Sequence, residues 1–306
     1  PVLYRHRDLT FSEEVRDRLI AHQVEQLLVH IDQESLYHAY MENNVERALT
    51  DPNLTLAQKS QIFYTTACDM IRGFLSDPMT DDLVPRTRRM AKTTVLHLQS
   101  DTQAFETFLT TSSPEYSTHT HSANVAVYTL QLALRTGITD EMLLEDIGVG
   151  CFLHDIGKCR VPARILNKPG KLDPAEWRTI KKHTVWGCQI LSLHNLWSPV
   201  VVNITRDHHE KIDGSGYPFG KKARELPDYV RMTTISDVFD AVSTTRSYKE
   251  GVPSFNALGT MKSEMAAQLD PKLFASFVQM MQAGTAANPA IPGSHPASDT
   301  PARSPQ

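Results

Sequence analysis

Several features that define other protein classes are missing from this sequence. Its 306 residues include four cysteines, with no CxxC pair and no dense framework, which favours reduced thiols. No apolar run approaches the ~20 residues of a membrane-spanning helix, and the opening stretch PVLYRHRDLTF lacks the basic-then-apolar build of a secretory signal. The net charge of −4 offers no basic field for DNA or RNA. We therefore expect a cytoplasmic protein that binds neither a membrane nor nucleic acid.

Helical patterns dominate what is present, so the expected fold class is mainly α. In residues 1–90 helical spacing is interrupted by the β-like runs Pro1–Tyr4 and Leu27–Ile31, which predicts a smaller α+β N-terminal domain. The helical patterns of this region cover residues 11–22, 33–49 and 56–75. Residues 91–282 read as almost entirely helical and predict a helical bundle. Residues 283–306 are rich in Pro, Ala and Ser, which predicts a low-complexity tail.

Capping residues and one turn subdivide the predicted bundle. Thr139 or Asp140 is an expected N-cap, and Asp173-Pro174-Ala175-Glu176 has the order of an N-cap, a first-turn proline and an acid that closes a capping box. Residues 213–220 contain three glycines and one proline, which predicts an irregular turn.

Histidine is the unusual component of this sequence. Of its 13 histidines, seven fall between His119 and His209. A lone histidine is usually a surface or structural residue, so the argument rests on a set distributed over separate predicted helices. A bundle that turned these side chains inward would bring together His121, His154, Asp155, His183, His208, His209 and Asp237.

This set of residue types indicates a pair of metal ions. Imidazole and carboxylate without thiolate favour iron or manganese over a structural zinc site. Seven ligands are too many for one ion, and a carboxylate such as Asp155 can bridge two. Two cations ~3.5–4 Å apart facilitate phosphoester cleavage, because a metal-bridging hydroxide can attack phosphorus while both ions absorb charge. His119 and His194 are expected to be non-ligands, and the remaining histidines show no partner pattern.

Cationic and aromatic side chains could complete such a site. Lys158 follows His154 by four residues and could hold a phosphate, although a surface lysine near a helix end is the plainer interpretation. Arg246 offers a planar fork for phosphate, and Tyr248 offers a ring for stacking on a base. Spacing alone leaves a structural role open for both.

The ordered motifs closely resemble one known family. The stretches HDIGKCRVP, ILNKPGKLDPAEW, HHEKIDGSGYPFG and SDVFDAVSTTRSYK resemble the sequence blocks of the HD-GYP family, a branch of the HD-domain metal-dependent phosphohydrolases. The resemblance covers about residues 115–280, more than half of the chain. It implies hydrolysis of the bacterial second messenger cyclic di-GMP to linear pGpG, and in some members on to GMP.

The resemblance also implies roles for individual residues. Asp155 and Lys158 would be catalytic, and Lys158, Arg246 and Tyr217 would contact substrate, with Tyr248 as a further candidate contact from its ring. The implied ligands of two divalent metal ions, with iron favoured and manganese next, are His121, His154, Asp155, His183, His208, His209 and Asp237. Some members carry a glutamate where this chain has Ser117, so no third metal is expected. The loop that contains Tyr217 could instead be a structural turn that buttresses the metal-binding helices.

Composition separates residues 1–90 from residues 91–282, and the resemblance implies that the former is a regulatory domain and the latter the HD-GYP catalytic domain. Residues 1–90 more weakly resemble the variable segment that precedes the catalytic domain in some members. Candidate protein partners are diguanylate-cyclase-type signalling proteins and a second copy of the chain. Two alternatives to cyclic di-GMP hydrolysis stay open: a catalytically inactive sensor or scaffold, and a hydrolase of another phosphoester such as a different cyclic dinucleotide.

Overall fold

Fourteen α-helices form the described part of the chain, which in this computed structural model comprises residues 12–24, 27–113, 115–196, 198–244 and 252–286. The first seven helices are α1 (Glu13–Ala21), α2 (Glu34–Thr50), α3 (Leu56–Ser76), α4 (Leu83–Ser100), α5 (Ala104–Thr111), α6 (Thr118–Arg135) and α7 (Glu141–Leu153). The others are α8 (Ala163–Leu166), α9 (Pro174–Lys181), α10 (His183–Leu193), α11 (Pro199–Asp207), α12 (Asp228–Ser243), α13 (Ser254–Glu264) and α14 (Pro271–Ala286).

Local sequence signals explain where these helices begin. The Asp140 carboxylate accepts from the backbone N–H groups of Met142 and Leu143 and starts α7. Asp173 and Glu176 form the expected capping box at the start of α9, with Pro174 as its first residue. Residues 213–220 form an irregular turn, as predicted. The prediction of a mainly α fold is confirmed.

The predicted α+β character of the N-terminal region is wrong for the residues that the structure describes. Residues 27–30 have no regular structure, and Ile31–Gln33 is a 3-10 turn. Leu28 and Ile31 are exposed, with no neighbouring strand among the described residues to pair with them. A β-like run without a ladder partner has no reason to form a strand. The other run, Pro1–Tyr4, lies outside the described residues.

Helices α6 and α7 lie at the centre of the bundle. Helix α6 packs against α3, α7 and α12, while α7 packs against α4, α6 and α11. Every residue of α7 from Ile147 to Leu153 is buried, as expected for the part of a helix that neighbouring helices enclose. This packing brings together the first turn of α6, the residues that follow α7 and α11, the start of α10 and the middle of α12.

One hydrophobic core joins the N-terminal helices to the rest of the chain, with members from Val45 to Met281. The predicted domain boundary at residue 90 falls inside α4, where Met90 and Ala91 are both buried; the functional division itself stays a prediction. Helix α14 continues to Ala286, past the predicted start of the tail, and the rest of the tail lies outside the described residues. In the described part of the chain, no helix combines the length and apolarity needed to cross a bilayer.

Candidate metal centre

Five helices place histidine and aspartate side chains around one buried point. His121 lies in the first turn of α6, His183 starts α10, and Asp237 lies on α12. His154 and Asp155 directly follow α7, and His208 and His209 directly follow α11. All except the partly exposed His209 are buried. The structure therefore brings together all seven residues that the sequence suggested as ligands.

The two oxygens of Asp155 face two different groups of histidines. Oδ1 lies 3.3 Å from His183 Nε2 and 3.9 Å from His208 Nε2. On the other side, Oδ2 lies 3.4 Å from His154 Nε2 and 3.7 Å from His121 Nε2. Two clusters able to hold a cation result, one of Asp155, His183, His208 and His209 and one of His121, His154 and Asp155. The shared carboxylate has the arrangement of a bridging ligand.

Asp237 spans the same two groups from the opposite helix. Its Oδ1 lies 2.9 Å from His121 Nε2, and its Oδ2 lies 3.3 Å from His209 Nδ1. Although burial opposes its ionisation, the neighbouring His209 and His121 hold the pKa of Asp237 well below its usual range. A second negative charge therefore lies between the clusters.

Backbone carbonyls orient three of the imidazoles. His154 Nδ1 donates to the carbonyl oxygen of Cys151 at 2.6 Å, and His183 Nδ1 donates to that of Ile180 at 2.7 Å. His208 Nδ1 lies 3.1 Å from two carbonyl oxygens at the end of α11. A carbonyl oxygen only accepts, so Nδ1 carries the hydrogen in each ring and Nε2 presents a lone pair to the centre.

Among the described residues, no hydrogen-bond donor lies opposite these Nε2 lone pairs. The same atoms therefore show whether a cation fits the site. His154 Nε2 and Asp155 Oδ1 are buried without a hydrogen-bond partner. His183 Nε2 lies 3.3 Å from His208 Nε2, so two acceptors point at each other. Burial lowers the pKa of His183 to about 3 and that of His208 well below its ordinary value, so protonation does not relieve the conflict. Such a donor set fits divalent metal ions.

Lys158 lies at the edge of the centre rather than on the outer surface. The helix does not persist past His154, and a 3-10 turn at Ile156–Arg160 brings Lys158 Nζ to 2.5 Å from Asp155 Oδ2. Burial opposes ionisation of Asp155, but the Lys158 ammonium and His154 outweigh it and hold the pKa of the carboxyl well below its usual range. Lys158 also donates to the Tyr116 hydroxyl at 3.3 Å.

A glycine makes this 3-10 turn possible. A side chain on Gly157 would place its Cβ 1.9 Å from the carbonyl oxygen of His183 and 2.5 Å from the Gly187 nitrogen. The turn and α10 therefore touch backbone to backbone, which is the contact that sets Asp155 against His183.

The Gly-rich turn, residues 213–220, packs directly on the centre. The Tyr217 ring lies 4.7 Å from the His209 ring, and its backbone N–H donates to the His209 carbonyl oxygen. A Cβ on Gly216 would come within 2.5 Å of the backbone of His209 and Glu210. The turn therefore buttresses His209, and its structural interpretation has direct geometric support.

Sequence reasoning missed two buried carboxylates, one that positions a candidate ligand and one that holds the Gly-rich turn. Asp240, fully buried, accepts from His121 Nδ1 at 2.6 Å and from Asn124 Nδ2 at 2.7 Å. Glu210, also fully buried, accepts the backbone N–H groups of Phe219 and Gly220 in the Gly-rich turn and of Lys221 directly after it. A signal for Asp240 was present: it follows Asp237 by three residues and so shares its helix face.

The remaining sequence predictions have separate outcomes. His119 lies beside Arg72, away from both clusters, and His194 Nε2 donates to the Pro78 carbonyl oxygen at 2.7 Å, so neither is placed as a ligand. Ser117 caps α6 by accepting from the Thr120 N–H. Arg246 and Tyr248 lie outside the described residues.

Comparisons with known proteins show what this chain is similar to. The sequence profile of the HD domain family matches residues 88–273. A cyclic di-GMP phosphodiesterase of Pseudomonas aeruginosa is 38% identical over 168 residues, covering 55% of this chain and 40% of that protein. The 3'3'-cGAMP-specific phosphodiesterase 3 of Vibrio cholerae is 37% identical over 180 residues, covering 59% and 38%. The chain spans less than half the length of these curated relatives.

A solved structure shows the same fold. An HDG"Y"P protein from Bdellovibrio bacteriovorus superposes with a TM-score of 0.69 at 21% identity, over 83% of this chain and 81% of that one. The family match covers more than half of the chain. The chain therefore belongs to the HD domain family.

Proposed function

We propose that this protein is a phosphodiesterase that uses two divalent metal ions, iron first and manganese next, to hydrolyse cyclic di-GMP to pGpG. The observation that carries the proposal is the placement of Asp155, whose two oxygens each face a separate histidine group. When bound, a pair of cations would supply Lewis-acid charge and lower the pKa of a water molecule.

The chain's own residues would prepare this centre for a phosphodiester. The carbonyl-bound imidazoles present Nε2 lone pairs without rearrangement, which keeps the ligands in position before substrate arrives. Lys158 holds its ammonium beside Asp155 with only 12% of its side chain exposed, where it would neutralise a non-bridging phosphate oxygen. Arg246 and Tyr248 stay predictions as phosphate and base contacts.

A second substrate of the same class is favoured by the comparisons. Two relatives named as 3'3'-cGAMP-specific phosphodiesterases are 37% and 39% identical to this chain, and two named as cyclic di-GMP phosphodiesterases are 38% and 36% identical. Both molecules carry two phosphodiester groups and two purines. Hydrolysis of 3'3'-cGAMP is therefore the alternative to test in parallel.

The test is turnover of both cyclic dinucleotides by protein purified without oxygen and loaded with Fe(II) or Mn(II), followed by chromatography. We expect a linear dinucleotide from cyclic di-GMP, absent with the Asp155→Ala variant, and further cleavage to GMP would be visible in the same traces. Binding of cyclic di-GMP without product by a demonstrably two-metal protein would instead establish the sensor.

A further inference from the structure

We propose that Trp177, Lys181 and Tyr217 form a nucleotide subsite beside the metal centre. Trp177 would be the platform for a base, and Lys181 would contact the phosphate that is not at the metals. This subsite rests on the proposed function, since it takes the part of a cyclic dinucleotide that the metal centre does not hold.

One ring–ring contact and two cation–π contacts lead from the candidate metal centre to the surface. They begin at His209, whose ring lies 4.7 Å from the Tyr217 ring. Lys181 Nζ comes next, 4.8 Å from the centre of the Tyr217 ring and 5.7 Å from the centre of the Trp177 ring. Every step is shorter than 6 Å, so the three side chains border one surface connected to a candidate metal ligand.

Two separate elements create this surface. Trp177 and Lys181 are four residues apart on α9 and therefore share a helix face. Tyr217 comes from the Gly-rich turn. Trp177 and Lys181 alone could form a cation–π pair within α9. The contact of Lys181 with Tyr217 connects this pair to the candidate metal centre.

The exposure of Trp177 suits a ligand rather than the core. Trp177 is 47% exposed, whereas the large aromatic residues of the core are almost completely buried. An accessible ring beside a cation is the arrangement that proteins use to stack bases, because every base presents a flat face to the ring.

The sequence segment that contains α9 is basic. Residues 158–182 contain eight Lys or Arg and two Asp or Glu, in a chain whose net charge is −4. Because a cyclic dinucleotide carries two negative charges, this segment would attract it toward α9 despite the acidic chain.

The experiment compares two substrates of the metal-loaded chain, cyclic di-GMP and bis(4-nitrophenyl) phosphate, which has one phosphodiester and no purine. Trp177→Ala should raise KM for cyclic di-GMP roughly five- to hundredfold, the usual range for loss of one base–aromatic stack. Trp177→Phe should restore most of the loss. Turnover of bis(4-nitrophenyl) phosphate should stay within about twofold in both variants, because its cleavage needs only the metal centre.

A charge-matched pair tests Lys181. Lys181→Gln and Lys182→Gln remove the same charge at adjacent positions, and Lys182 is exposed at the end of α9. We expect the larger rise in KM for cyclic di-GMP, and the larger loss of salt dependence, from Lys181→Gln. Equal effects of the two variants would overturn the placement of Lys181.

Stopped-flow tryptophan fluorescence separates failure of the subsite from failure of the proposed function. Cyclic di-GMP should quench the wild-type protein, and the change should disappear in Trp177→Phe. Quenching without hydrolysis would keep the subsite and overturn the phosphodiesterase. Hydrolysis with an unchanged KM in Trp177→Ala would keep the phosphodiesterase and overturn the subsite. If wild type neither bound nor cleaved cyclic di-GMP, both proposals would be wrong.

Discussion

Two neighbouring regions bury carboxylates to a similar degree but differ in how completely donors of the protein satisfy them. One is the metal centre around Asp155, and the other is the anchor of the Gly-rich turn, formed by Asp207 and Glu210. Asp155 and Asp207 are each 1% exposed, and Glu210 is fully buried. Burial of an ionised carboxylate costs several kcal/mol unless partners compensate it.

In the anchor, the protein itself supplies the partners. Asp207 accepts from the Arg206 guanidinium through both oxygens and from Lys221 Nζ at 2.6 Å. Glu210 accepts from three consecutive backbone N–H groups, those of residues 219–221, at 2.6–3.1 Å. This region is complete as a polypeptide structure.

In the metal centre, acceptors face acceptors. His154 Nε2 and Asp155 Oδ1 lack partners, and the Nε2 atoms of His183 and His208 oppose each other. Equal burial therefore does not imply an equal purpose. The anchor stabilises the fold, and the centre keeps unsatisfied electron pairs for a cation.

The largest contrast is expected between Asp155→Ala and Asp207→Ala. Asp155→Ala should abolish cyclic dinucleotide turnover and metal loading together, because it removes the ligand shared by both clusters. Asp207→Ala should instead lower the free energy of unfolding, by about 1–3 kcal/mol. Metal stoichiometry by mass spectrometry and chemical denaturation measure both properties. Full activity of Asp155→Ala would contradict the two-metal proposal.

Glu210→Ala should lower the free energy of unfolding by about 2–4 kcal/mol, because it leaves three backbone N–H groups without their charged acceptor. Glu210→Gln keeps an acceptor oxygen and should lose less. Chemical denaturation of metal-loaded protein measures the difference. If both variants were as stable as wild type, the turn would not depend on this anchor.

Asp240→Asn should weaken metal binding about 10- to 100-fold, the range found when a group behind a metal-binding histidine is lost. The carboxylate accepts from His121 Nδ1 and Asn124, and an amide would turn a second donor toward one of them. A metal titration measures the loss, and excess metal should restore turnover. Ser243→Ala, one helical turn further along α12, is the control and should bind metal normally.

The stability of metal-free protein should also depend on pH. The pKa of His183 is about 3 in the fold and 6.5 ordinarily, because burial disfavours its charge. Between pH 6.5 and about 4 the unfolded chain binds a proton that folded His183 does not, so stability should fall as the pH falls. The slope is about 1.4 kcal/mol per pH unit for each such histidine.

His183→Gln should flatten that slope, and denaturation at several pH values tests this. His208, whose pKa is lowered in the same direction, should keep part of it. If His183→Gln showed the same slope as wild type, the neutral His183 imidazole would not be the source of the pH dependence of stability.

The sequence predicted the candidate ligands better than it predicted their support. The ligands have rare side chains in an ordered series, so resemblance could name them by position. Asp240 and Glu210 act through geometry that appears only when α12 meets α6 and when the turn folds back on α11. The β-like run Leu27–Ile31 misled because propensity specifies no pairing partner.

The sequence by itself determined the helices, their caps, the irregular turn and the residue types of the centre, since these depend on neighbours within a few positions. Tertiary structure decided which oxygen of Asp155 faces which histidine, the end of the helix before Lys158, and the contact between Lys181 and Tyr217. The reason is physical: local patterns fix the direction of a side chain on its own helix, and only packing between helices fixes what it meets.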